Sequence, residues 1–206
     1  KFQYILEHIQ KNSNIIIPKE FKMFLEGNFN KINSKMNILL TFDDGYKSQK
    51  MIVEKFLNPK NIKALFFLVS DFIKIESKIP AQSFIRNNFY KEKYNGYLDD
   101  DIENMSVDDV NYLINTGHSV GAHTKTHTQL SKIVNEDMLI SEIVDCKKNL
   151  EGILANIKID DFAYTFGDFD SINKNSLAHI AKNYKYIYSG LRGNNLKIKK
   201  NIVRRD

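Results

Sequence analysis

The sequence predicts an α/β fold with a mostly parallel sheet, and three observations support this class. Strand-like apolar runs alternate with segments of helical periodicity along the whole chain. Residues 62–70 form an almost unbroken apolar run, which is typical of a strand buried on both faces of a parallel sheet. The 206 residues, 42% of them hydrophobic, suffice for one domain with a sizeable core. We therefore expect residues 1–206 to form a single domain.

The individual elements are predicted from apolar periodicity and from residues that start or stop helices. Pro18 suits the first turn of a helix. Ser106 and Asp109 resemble a capping box that opens a helix ending at Gly117, and Asn135 is expected to cap the longest helix, which reaches about residue 150. The other elements are helices over residues 1–12, 47–57 and 171–183, strands over 15–17, 36–42, 62–70, 118–122, 159–166 and 184–188, and a polar loop over 27–35.

Composition argues against several classes of partner. The chain has 30 basic and 25 acidic residues, but the lysines are scattered and no stripe of arginines alternates with aromatic residues. We therefore expect no nucleic-acid partner. No apolar run approaches the roughly 20 residues of a membrane span. The single Cys146 excludes an internal disulfide, and its place in a helical pattern favours a buried apolar role.

The cellular compartment stays open at this level. One cysteine fits a reducing compartment, and no signal peptide is visible, so the sequence as it stands favours the cytoplasm. The first residue is Lys1 rather than methionine. A periplasmic or extracellular location is the alternative if an upstream segment has been removed.

A first candidate site follows the apolar run of residues 36–42, at two adjacent carboxylates, Asp43 and Asp44. Like charges side by side are unfavourable unless a cation or a shared proton lies next to them. A metal ion would hold one carboxylate as a ligand and leave the other free as a base. The alternative is a strand that ends in an ordinary Asp-Gly turn.

The histidines supply the partner that the carboxylates need. Three of the five histidines fall within ten residues: His118, His123 and His127. His123 and His127 are four apart, so on a helical turn their imidazoles would share one face and chelate one divalent ion. Two histidines with Asp44 leave positions open for water and substrate, as in catalytic metal sites. The alternative is a pair of surface histidines on a helix; His118 is expected to be structural.

Three motifs occur in order along the chain: TFDDGY at residues 41–46, GHSVGAHTKTH at 117–127 and FAYTFG at 162–167. Together they resemble the polysaccharide deacetylase family, also called carbohydrate esterase family 4 or the NodB-type homology domain. The third motif resembles a branch of the family that carries Phe-Ala-Tyr-Pro-Phe-Gly. The resemblance covers most of the chain and implies a distorted (β/α) barrel with its active site at the carboxyl ends of the strands.

The resemblance also implies a metal and a base. Asp44, His123 and His127 would ligate one divalent ion, usually zinc, although such a ligand set also admits cobalt, nickel, manganese or iron. Asp43 would be the general base that takes a proton from the attacking water.

Other motif residues would handle the substrate. The backbone N–H of Phe166 would donate to the oxyanion. The side chains expected to contact the substrate are those of Tyr46, Tyr164 and Thr165.

The chain departs from the family pattern at three points. Thr165 stands where the third motif usually has proline, and Ala163 stands where many members have an arginine that holds the base. No histidine follows His179, which we interpret as an ordinary helix residue, although later family motifs provide a histidine as general acid. We hypothesise that Arg205, in an arginine-containing final strand, replaces the missing arginine beside Asp43. In place of the missing acid, Asp43 would return its own proton to the leaving amine; the alternatives are a slow enzyme or an incomplete chain.

Residues 71–105 are too long for a bare loop in a compact domain, and we predict a partly helical insertion. Aromatic residues alternate there with charges, and the segment ends in the acidic run of residues 99–101. The rings would either form one wall of a substrate groove, where they stack on sugar faces, or pack on one another.

Three functions are consistent with these motifs and with the departures from the family pattern. The first is a metal-dependent hydrolase that removes N-acetyl groups from amino sugars of a bacterial surface polysaccharide or its precursor, so an N-acetylated glycan is the expected partner. The second keeps the fold and metal but hydrolyses small cyclic amides or ureides. The third is a degenerate member that binds glycan without turnover.

Overall fold

The computed structural model describes residues 1–28, 35–90, 102–154, 157–196 and 202–205. Its centre is a six-stranded, all-parallel sheet that curls into a half-barrel with helices packed around it. The strands lie in chain order, so each new strand is added beside the previous one after a crossover. They are β3 (Thr41–Phe42), β4 (Leu65–Leu68), β5 (Ser119–Ala122), β6 (Asp161–Ala163), β7 (Tyr186–Tyr188) and β8 (Ile202–Val203). The predicted α/β class with a parallel sheet is confirmed.

The strand predicted over residues 36–42 is wrong as a single element, because two different sheets share it. Strand β2 (Met36–Ile38) pairs in parallel with β1 (Ser13–Ile15), and only β3 joins the main sheet. Met36 is 65% exposed, so the first half of the run lacks the burial on both faces that a central strand needs. The strand expected at residues 15–17 likewise lies two residues earlier.

The helices follow the predicted periodicity closely. Ser106 and Asp109 form the expected capping box, with both hydrogen bonds at 3.1 Å, and Asn135 accepts from the Met138 N–H at 3.0 Å. The helices are α1 (Phe2–Asn12), α2 (Pro18–Leu25), α3 (Lys47–Ile52), α4 (Lys78–Asn88), α5 (Val107–Asn115), α6 (Glu136–Ile140), α7 (Cys146–Ile153) and α8 (Lys174–Asn183). Each of two π-helical segments, Val53–Leu57 and Ser141–Asp145, continues a helix, and 3₁₀ turns occur at Asn58–Lys60, Phe72–Lys74, Leu130–Lys132 and Phe169–Ser171.

The core lies on both faces of the curled sheet. Alternate residues of β4 illustrate this, because Phe66 belongs to the larger cluster under the helices and Phe67 belongs to the cluster inside the half-barrel. Helix α2 fills that interior with Phe21. Its Lys22 forms an ion pair with the buried Asp161 at 2.6 Å. Buried side chains therefore occupy the described interior of the half-barrel.

The described part of the predicted insertion contains a 3₁₀ turn followed by α4. The rings of Phe72, Phe84 and Phe89 pack against one another, and Tyr46 joins them. Of the two interpretations of these rings, mutual packing describes this part. The acidic run and residues 91–101 lie outside the described residues, as do residues 29–34 of the predicted loop. No helix among the described residues is long and apolar enough to cross a membrane.

Candidate metal centre and active site

The candidate site is a pocket of about 210 Å³ at the carboxyl ends of the strands. Parallel strands bring their following loops together at this edge, which is why distant motifs meet there. Its lining residues come from the three sequence motifs and from the segments after β7 and β8: Asp43, Asp44, His123, His127, Tyr164, Phe166, Gly167, Gly190 and Arg205.

The three expected metal ligands converge in this pocket. The Oδ1 atom of Asp44 lies 3.4 Å from Nε2 of His123 and 3.3 Å from Nε2 of His127. One ligand atom from each residue lies within 4.8 Å of the other two. These separations allow one ion to contact all three atoms at ordinary bond lengths.

The predicted helical turn between the two histidines is wrong. His123 follows β5 directly, and residues 123–129 form a loop in which Thr124 and His127 have positive φ angles of 64° and 67°. The Thr124 hydroxyl accepts the His127 N–H at 2.9 Å and closes this turn. The two rings thus converge because the backbone at Thr124 and His127 is left-handed, and not because four residues make one helical turn.

The other ring nitrogens fix both tautomers. Nδ1 of His123 lies 2.7 Å from the Ala163 carbonyl oxygen, and Nδ1 of His127 lies 3.0 Å from that of Asn88. A carbonyl only accepts, so each Nδ1 carries a proton, and Nε2 is the ring atom of each histidine that faces Asp44.

This arrangement fits a metal ion better than an ion pair. Oδ1 of Asp44 is buried and has no hydrogen-bond donor within the described part of the chain. Its distances to the two imidazoles exceed the 2.7–2.9 Å or so of charge-assisted hydrogen bonds. A divalent cation held by two neutral imidazoles and one carboxylate would satisfy this orphaned oxygen.

The local charges favour such a cation. Burial alone would raise the pKa of Asp44, but the His123 and His127 imidazoles hold that pKa well below its usual range. Burial lowers the pKa of His123, whereas the Asp43 and Asp44 carboxylates raise it, and the net shift is upward. Both shifts follow from the attraction between the Asp44 carboxylate and positive charge beside it, which a divalent cation would also supply.

Arg205 lies against Asp43, where the sequence analysis hypothesised it. Its Nη1 and Nη2 atoms donate to the two oxygens of Asp43 at 2.6 and 3.0 Å, while its Nε donates to the Ser189 carbonyl at 2.9 Å. The guanidinium also lies 5.1 Å above the Phe67 ring. Two parallel hydrogen bonds define the orientation of a carboxylate more tightly than one does. Gln49 donates to the backbone carbonyl of Asp43.

The turn after β6 brings Phe166 into the pocket. Phe166 has a φ of 62°. The Gly190 N–H donates to the Gly167 carbonyl at 2.9 Å, and a side chain on Gly167 would approach Gly190 N to 2.6 Å. Thr165, in the place of the usual proline, donates its hydroxyl to the Thr128 carbonyl at 2.8 Å. Hydrogen bonding thus replaces the conformational restriction that proline would supply.

The three residues expected to contact substrate have different positions. Tyr164 lines the pocket, and burial raises its pKa. Thr165 is fully buried behind the pocket, and Tyr46 packs edge-on against Phe72 and Phe89 of the insertion.

His118 is buried and hydrogen-bonded within the fold, as expected. Its Nδ1 accepts the Ala64 N–H at 3.1 Å, and Asn58 Oδ1 lies 3.1 Å from its Nε2. Burial, with a smaller effect from Lys63, lowers its pKa to about 4. His179 lies on α8 and contacts Glu136 at 2.6 Å, outside the pocket lining.

Sequence reasoning missed two contributors to the site. The Asn88 backbone carbonyl carried no signal, because any residue type provides the same atom. Glu142 did carry one: it lies between Leu139 and Cys146 on the inner stripe of a helix, where a charge needs a buried partner.

A curled parallel half-barrel with an Asp-His-His cluster at its carboxyl ends is the arrangement that the sequence motifs implied. The sequence profile of the polysaccharide deacetylase family matches residues 30–188. The chain therefore belongs to the polysaccharide deacetylase family. No curated protein sequence matches the chain.

Solved structures confirm the distorted (β/α) barrel. The deacetylase domain of BpsB from Bordetella bronchiseptica matches with a TM-score of 0.76 and 16% identity, over 98% of this chain and 81% of that one. IcaB from Ammonifex degensii matches with a TM-score of 0.75 and 17% identity, over 99% and 81% of the two chains. The Streptococcus pyogenes deacetylase PplD, solved with acetate, matches with a TM-score of 0.73 and 20% identity, over 98% and 77%.

Proposed function

We propose that this protein is a metal-dependent hydrolase that removes N-acetyl groups from amino sugars of a bacterial surface polysaccharide or its precursor. The observation that carries the proposal is the juxtaposition of two different carboxylates in one pocket. Asp44 lies between two imidazoles, whereas both oxygens of Asp43 accept from Arg205. One carboxylate is therefore suited to bind a metal and the other to move a proton.

The metal would be held by Asp44, His123 and His127. Zinc is the first candidate, and cobalt, nickel, manganese and iron suit the same ligands. When bound, such an ion supplies a Lewis acid for the amide carbonyl and lowers the pKa of water from 15.7 to about 7.

Asp43 acts as the general base in this proposal. The guanidinium of Arg205 occupies both carboxylate oxygens from one side and fixes the plane of the carboxylate. The remaining lone pairs of those oxygens are available to take the proton of the attacking water, a role typically worth ~10² to 10⁴ in rate. The same carboxyl group then gives that proton to the departing amine, so the amine leaves neutral and Asp43 returns to its starting state.

Phe166 is the proposed oxyanion donor through its backbone N–H. Its support is the rigidity of the turn, since Thr165 is bonded to the Thr128 carbonyl and Gly167 is pressed against Gly190. A donor that needs no rearrangement stabilises developing charge most effectively. Tyr164, on the same wall, would contact the acetyl group or the sugar.

The family and the structural relatives support acetyl as the group that is removed. PplD is described as a deacetylase and was solved in complex with acetate, and the BpsB domain is described as a deacetylase. An N-acetylated amino sugar is the substrate class that such chemistry suggests for this chain.

The test is acetate release from N-acetylated glycan oligomers by metal-free and zinc-reconstituted protein, with Asp43→Asn as the companion variant. We expect zinc-dependent release that falls by about 10² to 10⁴ in the variant, with zinc content unchanged. Asn175→Asp, on the exposed face of α8, serves as a charge control outside the pocket. If the protein hydrolyses only cyclic amides, N-acetylated sugars are not its substrates. If the zinc-loaded protein binds glycan without turnover, the proposal that it is an enzyme is refuted.

A further inference from the structure

Glu142 is a buried carboxylate outside the pocket lining, and its contacts converge on the loop that carries both histidines. Its Oε2 accepts the backbone N–H groups of Lys125 and Thr126 at 3.0 and 2.9 Å. Its Oε1 accepts the Thr126 hydroxyl at 2.6 Å and lies 3.5 Å from that of Thr128. The side chain of Glu142 therefore binds the middle of the segment between His123 and His127.

That segment needs an external constraint. Thr124 and His127 both have left-handed backbone conformations, each of which costs about 1 kcal/mol or more for a non-glycine residue. Such residues keep their conformation only where surrounding contacts over-determine it. Glu142 contributes such contacts in the middle of the loop. The Ser70 and Asp71 N–H groups donate to the Thr124 and Lys125 carbonyls at 3.3 and 3.0 Å, and the Thr124 hydroxyl closes the end of the loop.

The π-helical segment Ser141–Asp145 determines where this carboxylate lies. The Glu142 backbone carbonyl also accepts the Lys125 N–H at 3.1 Å, so both its main chain and its side chain bind the loop. Single π-helical turns within α-helices occur frequently at functional sites. The helix geometry and the loop conformation are thus coupled at one residue.

We propose that Glu142 is a positioning residue that holds the histidine loop in its metal-binding conformation. The inference rests on the proposed metal site. Every group that contacts the Glu142 side chain is an N–H or an O–H, so an ionised carboxylate satisfies them all by accepting. An amide at this position can accept from the two backbone N–H groups only if its own N–H₂ faces the threonine hydroxyls.

The experiment measures zinc affinity by competition with a chromophoric chelator, on metal-free wild type, Glu142→Gln and Thr126→Val. We expect Glu142→Gln to weaken zinc binding by about 10- to 100-fold, the usual cost of losing an outer partner of a metal ligand. Thr126→Val removes one of the contacts and should weaken binding by roughly three- to tenfold. Glu136→Gln is the matched control. It makes the same change on the same continuous helix, but its carboxylate contacts Asn175 and His179 instead of the loop.

A second readout separates positioning from general stability. The visible spectrum of the cobalt-loaded protein should shift in Glu142→Gln, because displaced imidazoles alter the ligand field, and should stay unchanged in Glu136→Gln. Zinc affinity within twofold of wild type in Glu142→Gln, with an unchanged cobalt spectrum, would overturn the inference while leaving the function intact. If Glu142→Gln does not fold, Thr126→Val decides by the same criterion. A wild type that binds no zinc overturns the proposed function and, with it, the inference.

Discussion

The two histidines of the proposed metal centre are held by different parts of the molecule. His123 follows β5 directly, and its backbone N–H donates to the Leu68 carbonyl of β4 at 2.9 Å. Its ring is hydrogen-bonded to the Ala163 carbonyl of β6. His127 lies four residues out on a left-handed loop, and its ring is bonded to the end of the insertion helix α4 at Asn88. One imidazole is thus fixed by three adjacent strands of the sheet, and the other by peripheral segments.

This difference indicates that the metal site has a rigid half and an adjustable half. The position of His123 is determined by the core, so it changes only if the sheet changes. The position of His127 depends on the loop, on Glu142 and on the insertion, whose Phe89 ring lies 4.6 Å from the imidazole. Changes in the insertion should therefore alter metal affinity without disturbing the sheet.

The largest effect is expected from removing the histidines themselves. His123→Ala and His127→Ala should each weaken zinc binding on the order of 10³-fold, because each deletes one of three protein ligands. His123→Ala should also lower the free energy of unfolding of the metal-free protein more than His127→Ala does, since it leaves a cavity between β5 and β6. Chelator competition and urea unfolding measure the two quantities, and equal losses of stability would contradict the division into halves.

The second-largest effect is expected from Arg205, which contacts the proposed base Asp43 and, among the described contacts, none of the proposed metal ligands. Arg205→Ala should lower kcat by about 10- to 100-fold, since Asp43 loses both hydrogen bonds that orient it. Arg205→Lys keeps the charge but loses the paired geometry, so it should recover only part of this loss. Zinc affinity should stay within a few fold of wild type in both. A turnover rate and pH profile that match the wild type in Arg205→Ala would refute the role of this arginine.

A smaller effect should come from the insertion. Phe89→Leu keeps an apolar side chain but removes the ring that contacts His127, and we expect zinc binding to weaken roughly threefold to tenfold. Phe84→Leu is the matched control, because Phe84 stacks in the same cluster at 5.3 Å from Phe72 and makes no ring contact with His127 among those described. Equal zinc affinities in the two variants would show that the insertion does not adjust the site.

The smallest effect on activity should come from His118, although it belongs to the same motif. Burial lowers its pKa to about 4, so the unfolded chain takes up this proton at a higher pH than the folded one. The stabilisation is complete above about pH 6.5 and is lost as the pH falls toward 4. His118→Asn retains an acceptor for the Ala64 N–H and removes the titration. Relative to this variant, the wild type should lose about 1–2 kcal/mol between pH 7 and 4.5, as solvent screening reduces the effect of Lys63. If the free energies of unfolding of the wild type and of His118→Asn change equally between pH 7 and 4.5, His118 does not have the lowered pKa.

The sequence predicted the fold class and the residues at the site because both depend on local patterns. Buried parallel strands appear as apolar runs, and the residues that follow such strands gather at one edge of the sheet. Asp43 and His123 follow a strand directly, and Asp44 is the next residue after Asp43, so their convergence could be predicted.

Features that depend on tertiary context escaped prediction. The apolar run of residues 36–42 gives no indication of which sheet each half joins, because both halves look like strand. The left-handed conformations at Thr124 and His127 are unfavourable for these residue types, and only surrounding contacts make them stable. The Asn88 carbonyl is a backbone atom, so no choice of side chain marks its role.

The contact between Asp43 and Arg205 has a consequence for how the protein refolds. Asp43 follows β3 and Arg205 follows β8, the two edge strands of the main sheet, and 162 positions separate them. Contacts of such long sequence separation are costly in chain entropy and form late. After dilution from denaturant, helical and strand signals should therefore return before the proposed hydrolytic activity does. That delay would measure the time the two edges of the sheet need to meet.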